Sequence, residues 1–169
     1  NFAPTASAQA FNAFRHRFMR ANILIHMNSE LYDLEQRSYR GGRTDIFRQG
    51  TFENIIKLDI NSMYPYVMRE FDYPIKPVSK GVISDVPVDE LLEHMDDYFV
   101  VGDFTFNIRQ PAIAVKREKL IFPVGRICAP LTSPEIKTVL KYGDIESCQG
   151  VILYEKENIF KDYVDYFYA

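Results

Sequence analysis

Residues 54–69, NIIKLDINSMYPYVMR, constrain the fold more than any other stretch of this chain. An apolar, β-branched run, Ile55-Ile56-Lys57-Leu58, stops at a single carboxylate, Asp59. Three turn-forming positions follow, and then Tyr64-Pro65 opens a second apolar run. The pattern predicts a buried strand over 54–60 and a turn leading into a short helix over 61–69, with Pro65 tolerated in the first helical turn. A carboxylate at the end of a buried strand suits a hard divalent cation, which takes oxygen ligands on a rigid support and leaves positions for water and phosphate. The helix start beside it exposes backbone N–H groups, a ready phosphate site. Taken alone, a single Asp at a strand end is an ordinary cap.

The rest of the chain sets this unit in context. The opening segment predicts a helix, because Phe11, Phe14, Phe18, Ala21 and Ile25 recur at spacings of three and four; Thr5 or Ser7 would cap it. Arg15, Arg17 and Arg20 lie mostly off that stripe. A short helical turn is expected over 30–36, followed by the chain break SYRGGR over 38–43. After Glu70 the texture becomes β-like, with runs at 77–83, 98–108, 112–115 and 120–124 and a small helix over 88–95 between them. A further helix has Ser133 as its cap, Pro134 first, Glu135 in the first turn and Gly143 as its stop. Another strand is predicted over 145–154. A closing helix over 159–168 places Phe160, Tyr163, Val164 and Phe167 on one face.

Composition narrows the class. With 169 residues, 47% of them apolar, the chain has ample material for a packed core, and a net charge of −3 argues weakly against a free-standing nucleic-acid binder. The charge is uneven, however: residues 1–50 carry a net +3 and the remainder −6, so a polyanion contact belongs to the first third. Cys128 and Cys148 form neither a metal pattern nor a disulfide framework and fit a reducing, cytoplasmic compartment; their pairing stays open at this level. No apolar run reaches membrane length. The chain opens on NFAPTASAQ without an initiator Met and stops at DYFYA inside a predicted helix, so it reads as a piece of a longer protein.

Asp59-Ile60-Asn61-Ser62-Met63-Tyr64-Pro65 resembles motif A, D-x-N-S-[LM]-Y-P, of family B DNA polymerases, most closely the protein-primed branch of phages and linear plasmids. Upstream, Tyr39-Arg40-Gly41-Gly42 matches that family's Y-x-G-G motif, in the expected order, and Arg43 extends it. IFKDYVDYFYA at the end resembles the segment before motif B. The resemblance runs through nearly the whole chain, although in the middle it rests on pattern rather than on motif.

The resemblance implies an α+β fold: a partial polymerase palm of helix, strand and helix with an inserted β-rich subdomain. Residues 1–69 would be palm-side, 70–158 the insertion that contacts the terminal protein, and 159–169 the start of a palm and fingers helix. It implies that Asp59 binds the catalytic Mg²⁺ or Mn²⁺ with help from the Ile60 carbonyl. Backbone N–H groups along Asn61, Ser62, Met63 and Tyr64 would hold the incoming dNTP. The Tyr64 ring would stack under the deoxyribose and fill the space of a 2′-hydroxyl. Tyr39, Arg40, Gly41, Gly42 and Arg43 would contact DNA, the glycines through close backbone approach and the arginines through phosphates. The implied partners are primer-template DNA, dNTP and a terminal protein whose hydroxyl primes synthesis. Lys116, Arg117 and Lys119 form a small basic cluster that suits either DNA or a solvated turn. No motif B, no motif C and no exonuclease carboxylates occur, and YGDIES follows a helix stop, so the chain alone is expected to be inactive. The alternative reading is a non-catalytic module that docks a protein or DNA and keeps the motif-like stretch as structure.

Overall fold

The computed structural model describes residues 4–20 and 26–168. The chain divides into two compact units. One comprises Asn1–Ile23, Ile46–Ile75 and Glu157–Ala169; the other comprises Leu24–Asp45 and Lys76–Lys156.

The first unit is helical and aromatic. Helix α1 (Ala6–Ala13) is capped by Thr5, whose side chain accepts from the Ala8 amide. The chain then widens into a π-turn over Phe14–Phe18, closed by a Met19 N–H to Phe14 carbonyl bond of 2.9 Å. The regular stripe expected through Phe18 therefore loses its 3.6-residue period after Ala13; Ala21 and Ile25 lie outside the described residues. The wider turn lets Phe14 and Phe18 both reach the terminal helix, where Phe14 packs on Phe160 and Tyr163, and Phe18 on Tyr163, Tyr166 and Phe167. Two of the arginines that lie off the expected stripe turn to this helix. Arg17 lies 4.3 Å from the Tyr166 ring centroid, and Arg20 pairs with Asp162. A second helix of this unit spans Met63–Glu70, and its Arg69 bonds Asp165 at 2.6 Å.

The second unit is a sheet between helices. Helix α2 (Ser29–Ser38) starts on Asn28, whose Oδ1 accepts the amides of Glu30 and Leu31. The helices that follow it are α3 (Met63–Glu70, in the first unit), α4 (Val88–Glu93), α5 (Ser133–Tyr142) and α6 (Lys161–Tyr168, in the first unit). The main sheet runs in the order β1 (Tyr73–Pro77, of which Lys76 and Pro77 belong to this unit), β7 (Gly143–Glu157), β3 (Phe99–Ile108), β6 (Gly125–Thr132), with β2 (Ile83–Ser84) also on β7; β4 (Val115–Lys116) and β5 (Leu120–Ile121) form a separate hairpin. β3 is antiparallel to both neighbours, Val101 facing Thr132 on one side and Ile152 on the other.

The period-2 geometry of β3 separates two cores. Val100, Phe104, Phe106 and Ile108 join Ile136 and Val139 of α5 and Leu91 of α4. On a separate cluster, Val101, Ile152 and Tyr154 pack with Leu31 and Leu34 of α2. Polar groups reinforce the α2 contact. The Arg37 guanidinium takes Asp103 with both of its terminal nitrogens at 2.7 and 2.8 Å, and Glu35 accepts the Tyr154 hydroxyl at 2.5 Å and meets His26 Nε2 at 2.9 Å.

Several readings change, beginning with the β-like runs at 77–83 and 112–115, which are strand only at their edges. Residues 54–60 form no strand and are not buried: Ile56 is 81% and Leu58 87% exposed, and no strand partner occurs among the described residues. An apolar run becomes a strand only when a neighbour takes up its backbone groups, and Asn54, at φ 58°, turns the chain where the run begins. Strand β6 was not signalled because Gly125 and Pro130 break the pattern; at the sheet edge Pro130 costs no ladder bond. The cap of α5 is Thr132, one residue earlier than Ser133, because Ser133 Oγ instead accepts the Val100 amide at 2.7 Å.

Candidate functional site

The segment around Asp59 is open. Asp59 and Asn61 are exposed, Ile60 is 70% exposed, and the chain then turns at Ser62, which sits in the left-handed region with φ 54° and ψ 32°. That turn starts α3. Ser62 makes no side-chain cap bond, so the first amides of the helix, Met63 and Tyr64, have no capping side chain; the Tyr66 amide bonds the Ser62 carbonyl at 2.9 Å. Pro65 falls where its missing donor costs nothing. Met63 is 43% and Tyr64 76% exposed. The structure thus brings together one carboxylate, a carbonyl beside it, a bare helix N-terminus and an uncovered aromatic ring within six residues. Among the described residues no group of three or more His, Cys, Asp or Glu side chains gathers to hold a metal ion. Asp59 and the Ile60 carbonyl fit one edge of a site for a hard cation and supply only that part of its ligands.

The Tyr39–Arg43 segment belongs to the sheet-containing unit and follows the end of α2, where the Tyr39 amide bonds the Glu35 carbonyl at 3.1 Å. Its side chains diverge. The Tyr39 ring is exposed, and a Cβ added at Gly41 or Gly42 would meet nothing within 4 Å. Arg40 points inward instead: its side chain is 6% exposed, one terminal nitrogen pairs with Glu135 and the other donates to the Pro130 carbonyl. Arg43 donates to the Pro111 carbonyl at 2.7 Å, pairs with Asp45 and lies 4.1 Å from the Phe122 ring centroid. A groove of about 430 Å³ opens beside this segment, lined by Arg37, Arg40, Lys116 and Arg117 among others. Sequence reasoning passed over the partners of Arg40. The capping pattern identified Glu135 as a helix-start residue, but nothing local tells that its second oxygen reaches back 95 positions.

Paired with Asp103 and Asp33, the Arg37 guanidinium is held even more firmly in its charged form than usual. Tyr154 rises well above the usual tyrosine range, first through burial and then through its bond to Glu35. Burial pushes the Cys148 thiol up to about 11. The Tyr154 and Cys148 shifts belong to buried groups of β7, and the Arg37 shift to an exposed ion pair between α2 and β3.

The whole chain, residues 1–169, matches the family described as DNA polymerase type B, organellar and viral, and the chain belongs to that family. It is 27% identical to a probable DNA polymerase of Neurospora intermedia over 98% of this chain and 18% of that protein. It is also 27% identical to one of Ascobolus immersus over 96% of this chain and 14% of that protein. The chain therefore spans less than a fifth of the length of these relatives. Its fold resembles Phi29 DNA polymerase complexed with primer-template DNA and incoming nucleotide substrates, with a TM-score of 0.70 and 16% identity over 98% of this chain and 32% of that one. An orthorhombic crystal form of Phi29 DNA polymerase gives a TM-score of 0.68 at 18% identity, over 97% of this chain and 32% of that one.

Proposed function

We propose that this chain is the motif A and insertion region of a protein-primed DNA-directed DNA polymerase, and that residues 59–64 are its nucleotide-addition site. The observation that carries the reading is the conjunction at α3: Asp59 exposed, the first helical amides uncapped, and Tyr64 standing uncovered beside them. In the parent enzyme Asp59, with the Ile60 carbonyl, would hold part of the coordination of Mg²⁺ or Mn²⁺, which supplies the Lewis acidity for attack on a phosphoryl group. The remaining ligands would come from the rest of the parent protein. The Asn61–Tyr64 backbone would orient the triphosphate through N–H groups at the helix N-terminus, where the dipole favours negative charge. Tyr64 would exclude a 2′-hydroxyl by occupying its space.

Tyr39, Gly41 and Gly42 would lie along the DNA backbone. Open space around both glycines supports this, since nothing in the unit itself requires a missing side chain there. Arg43 and the Lys116–Arg117 turn would add charge near phosphates. Residues 1–69, 70–158 and 159–169 would serve as palm-side segment, terminal-protein-contacting insertion and helix leading toward the fingers. Partners would be primer-template DNA, dNTP and a terminal protein. None of the described helices is long and apolar enough to cross a membrane.

The test is a pair of substitutions in the full-length parent enzyme. Asp59→Asn should lower nucleotide incorporation by at least about 10³-fold with folding intact, because removing a charge that stabilises the reacting phosphoryl group removes several kcal/mol. Tyr64→Val should retain incorporation of deoxynucleotides and raise incorporation of ribonucleotides by about 10²-fold. Full activity of the Asp59 variant, or unchanged sugar selection in the Tyr64 variant, rules the assignment out.

A further inference from the structure

We infer that Glu135 is a positioning residue for the Tyr39–Arg43 segment and acts through Arg40, which is a tether rather than a phosphate contact. The inference deepens the proposed DNA-contact role of that segment and rests on it. Three observations support it. Arg40 is 94% buried by the exposure of its side chain, and both terminal nitrogens are taken, by Glu135 and by the Pro130 carbonyl. Its Nε is buried with no hydrogen-bond partner, and among the described residues Glu135 is the carboxylate that pairs with its charge. Its neighbours Tyr39, Gly41 and Gly42 face outward, so one inward side chain anchors a stretch whose other members are open.

Glu135 performs two tasks with its two oxygens. Oε2 accepts the Thr132 amide and hydroxyl, each at 2.8 Å, and completes the capping box of α5; Oε1 accepts Arg40. The start of α5 and the glycine segment are thereby held by one carboxylate. Arg40 is suited to this: its planar fork reaches a carboxylate and a carbonyl at once, a geometry that a lysine ammonium on its flexible stem does not reproduce. The two tasks are separable by substitution. Glutamine serves a capping box as well as glutamate does, since its amide oxygen still accepts from residue 132, but its –NH₂ offers Arg40 nothing to bond. An Arg40 left buried with the Pro130 carbonyl but without a carboxylate is expected to leave its site and release the segment.

The experiment compares wild type, Glu135→Gln and Arg40→Lys in this chain by ¹⁵N relaxation. Amides of Gly41 and Gly42 should have order parameters near about 0.85 in wild type and below about 0.6 in both variants. Amide shifts across α5 should remain at wild-type positions in Glu135→Gln. Unchanged glycine order parameters, glycines already mobile in wild type, or shifts spread through α5 would each overturn the inference. A second arm measures affinity for a primer–template oligonucleotide against salt. Glu135→Gln should weaken binding about tenfold with an unchanged slope of log K on log salt. A slope smaller by about 0.9 in Arg40→Gln would mean that Arg40 itself neutralises a phosphate, and would overturn the inference. Wild-type binding that is absent, or indifferent to Gly42→Ala, defeats the DNA-contact reading instead, and the order parameters then decide the tether alone.

Discussion

At the scale of single residues, the two cysteines show how position in a sheet sets chemistry. Cys128 faces Thr105 from β6, and Cys148 faces Phe104 from β7, so β3 lies between them. Two inter-strand spacings place their backbones about 9–10 Å apart, beyond the reach of a disulfide. The pairing left open by sequence is thus closed by topology. Cys128 is exposed and Cys148 buried. At pH 8 a disulfide reagent should modify Cys128 within minutes and Cys148 only after unfolding. The raised thiol also has a pH consequence. The folded value of about 11 lies above the ordinary 9.0, so the unfolded chain loses this proton first. The stabilisation from a neutral, buried thiol is complete below about pH 9 and is lost as pH rises toward about 11. Tyr154, raised by burial and by Glu35, acts in the same direction. Denaturant midpoints should fall across that window, and Cys148→Ala should flatten part of the fall.

At the scale of elements, the junction between α5 and β7 decides how the long strand enters the sheet. Gly143 ends the helix and begins the strand with φ −176°, an extended conformation open to any residue. What requires glycine is proximity: a Cβ there would lie 1.9 Å from the Asn107 carbonyl oxygen. The stop signal read from sequence was therefore correct for a reason that sequence does not carry. Gly143→Ala should destabilise the chain by about 1–3 kcal/mol through overpacking against backbone, measured by denaturant unfolding. Gly42→Ala, with open space around it, should change stability by no more than about 0.5 kcal/mol. β7 then accommodates two register shifts against β3, between Asp103 and Phe104 and between Thr105 and Phe106. Such irregularities bend a strand without ending it, and a short window of hydrophobic pattern does not reveal them.

At the scale of the whole molecule, the proposal gives the chain one edge of a nucleotide-addition site, beside a β-rich unit with its own buried clusters. One carboxylate does not hold two divalent cations against their mutual repulsion. The chain alone is accordingly expected to incorporate no nucleotide in a primer-extension assay, and any measurable extension by purified chain contradicts the proposed division of labour. Its affinity for DNA should be slight and should fall steeply between 50 and 200 mM salt, as counterion release demands for contacts made to phosphates. Binding that survives high salt would point to a different interface.

Sequence by itself determined the features that depend on neighbours a few positions away. A cap for α1 at Thr5 or Ser7, the Pro–Glu start of α5, the β-like run that becomes β3 and the order of the two motifs are all written in local spacing, because caps, turns and periodicity are short-range. The tertiary structure alone decided which groups are paired across the chain. It turned Arg40 inward onto Glu135, drew Arg17 to Tyr166, kept the cysteines apart, and left the run over 54–60 exposed and without regular structure. Those outcomes depend on which distant surface supplies a partner, and a backbone or a charge takes its final state only when that partner is present or absent.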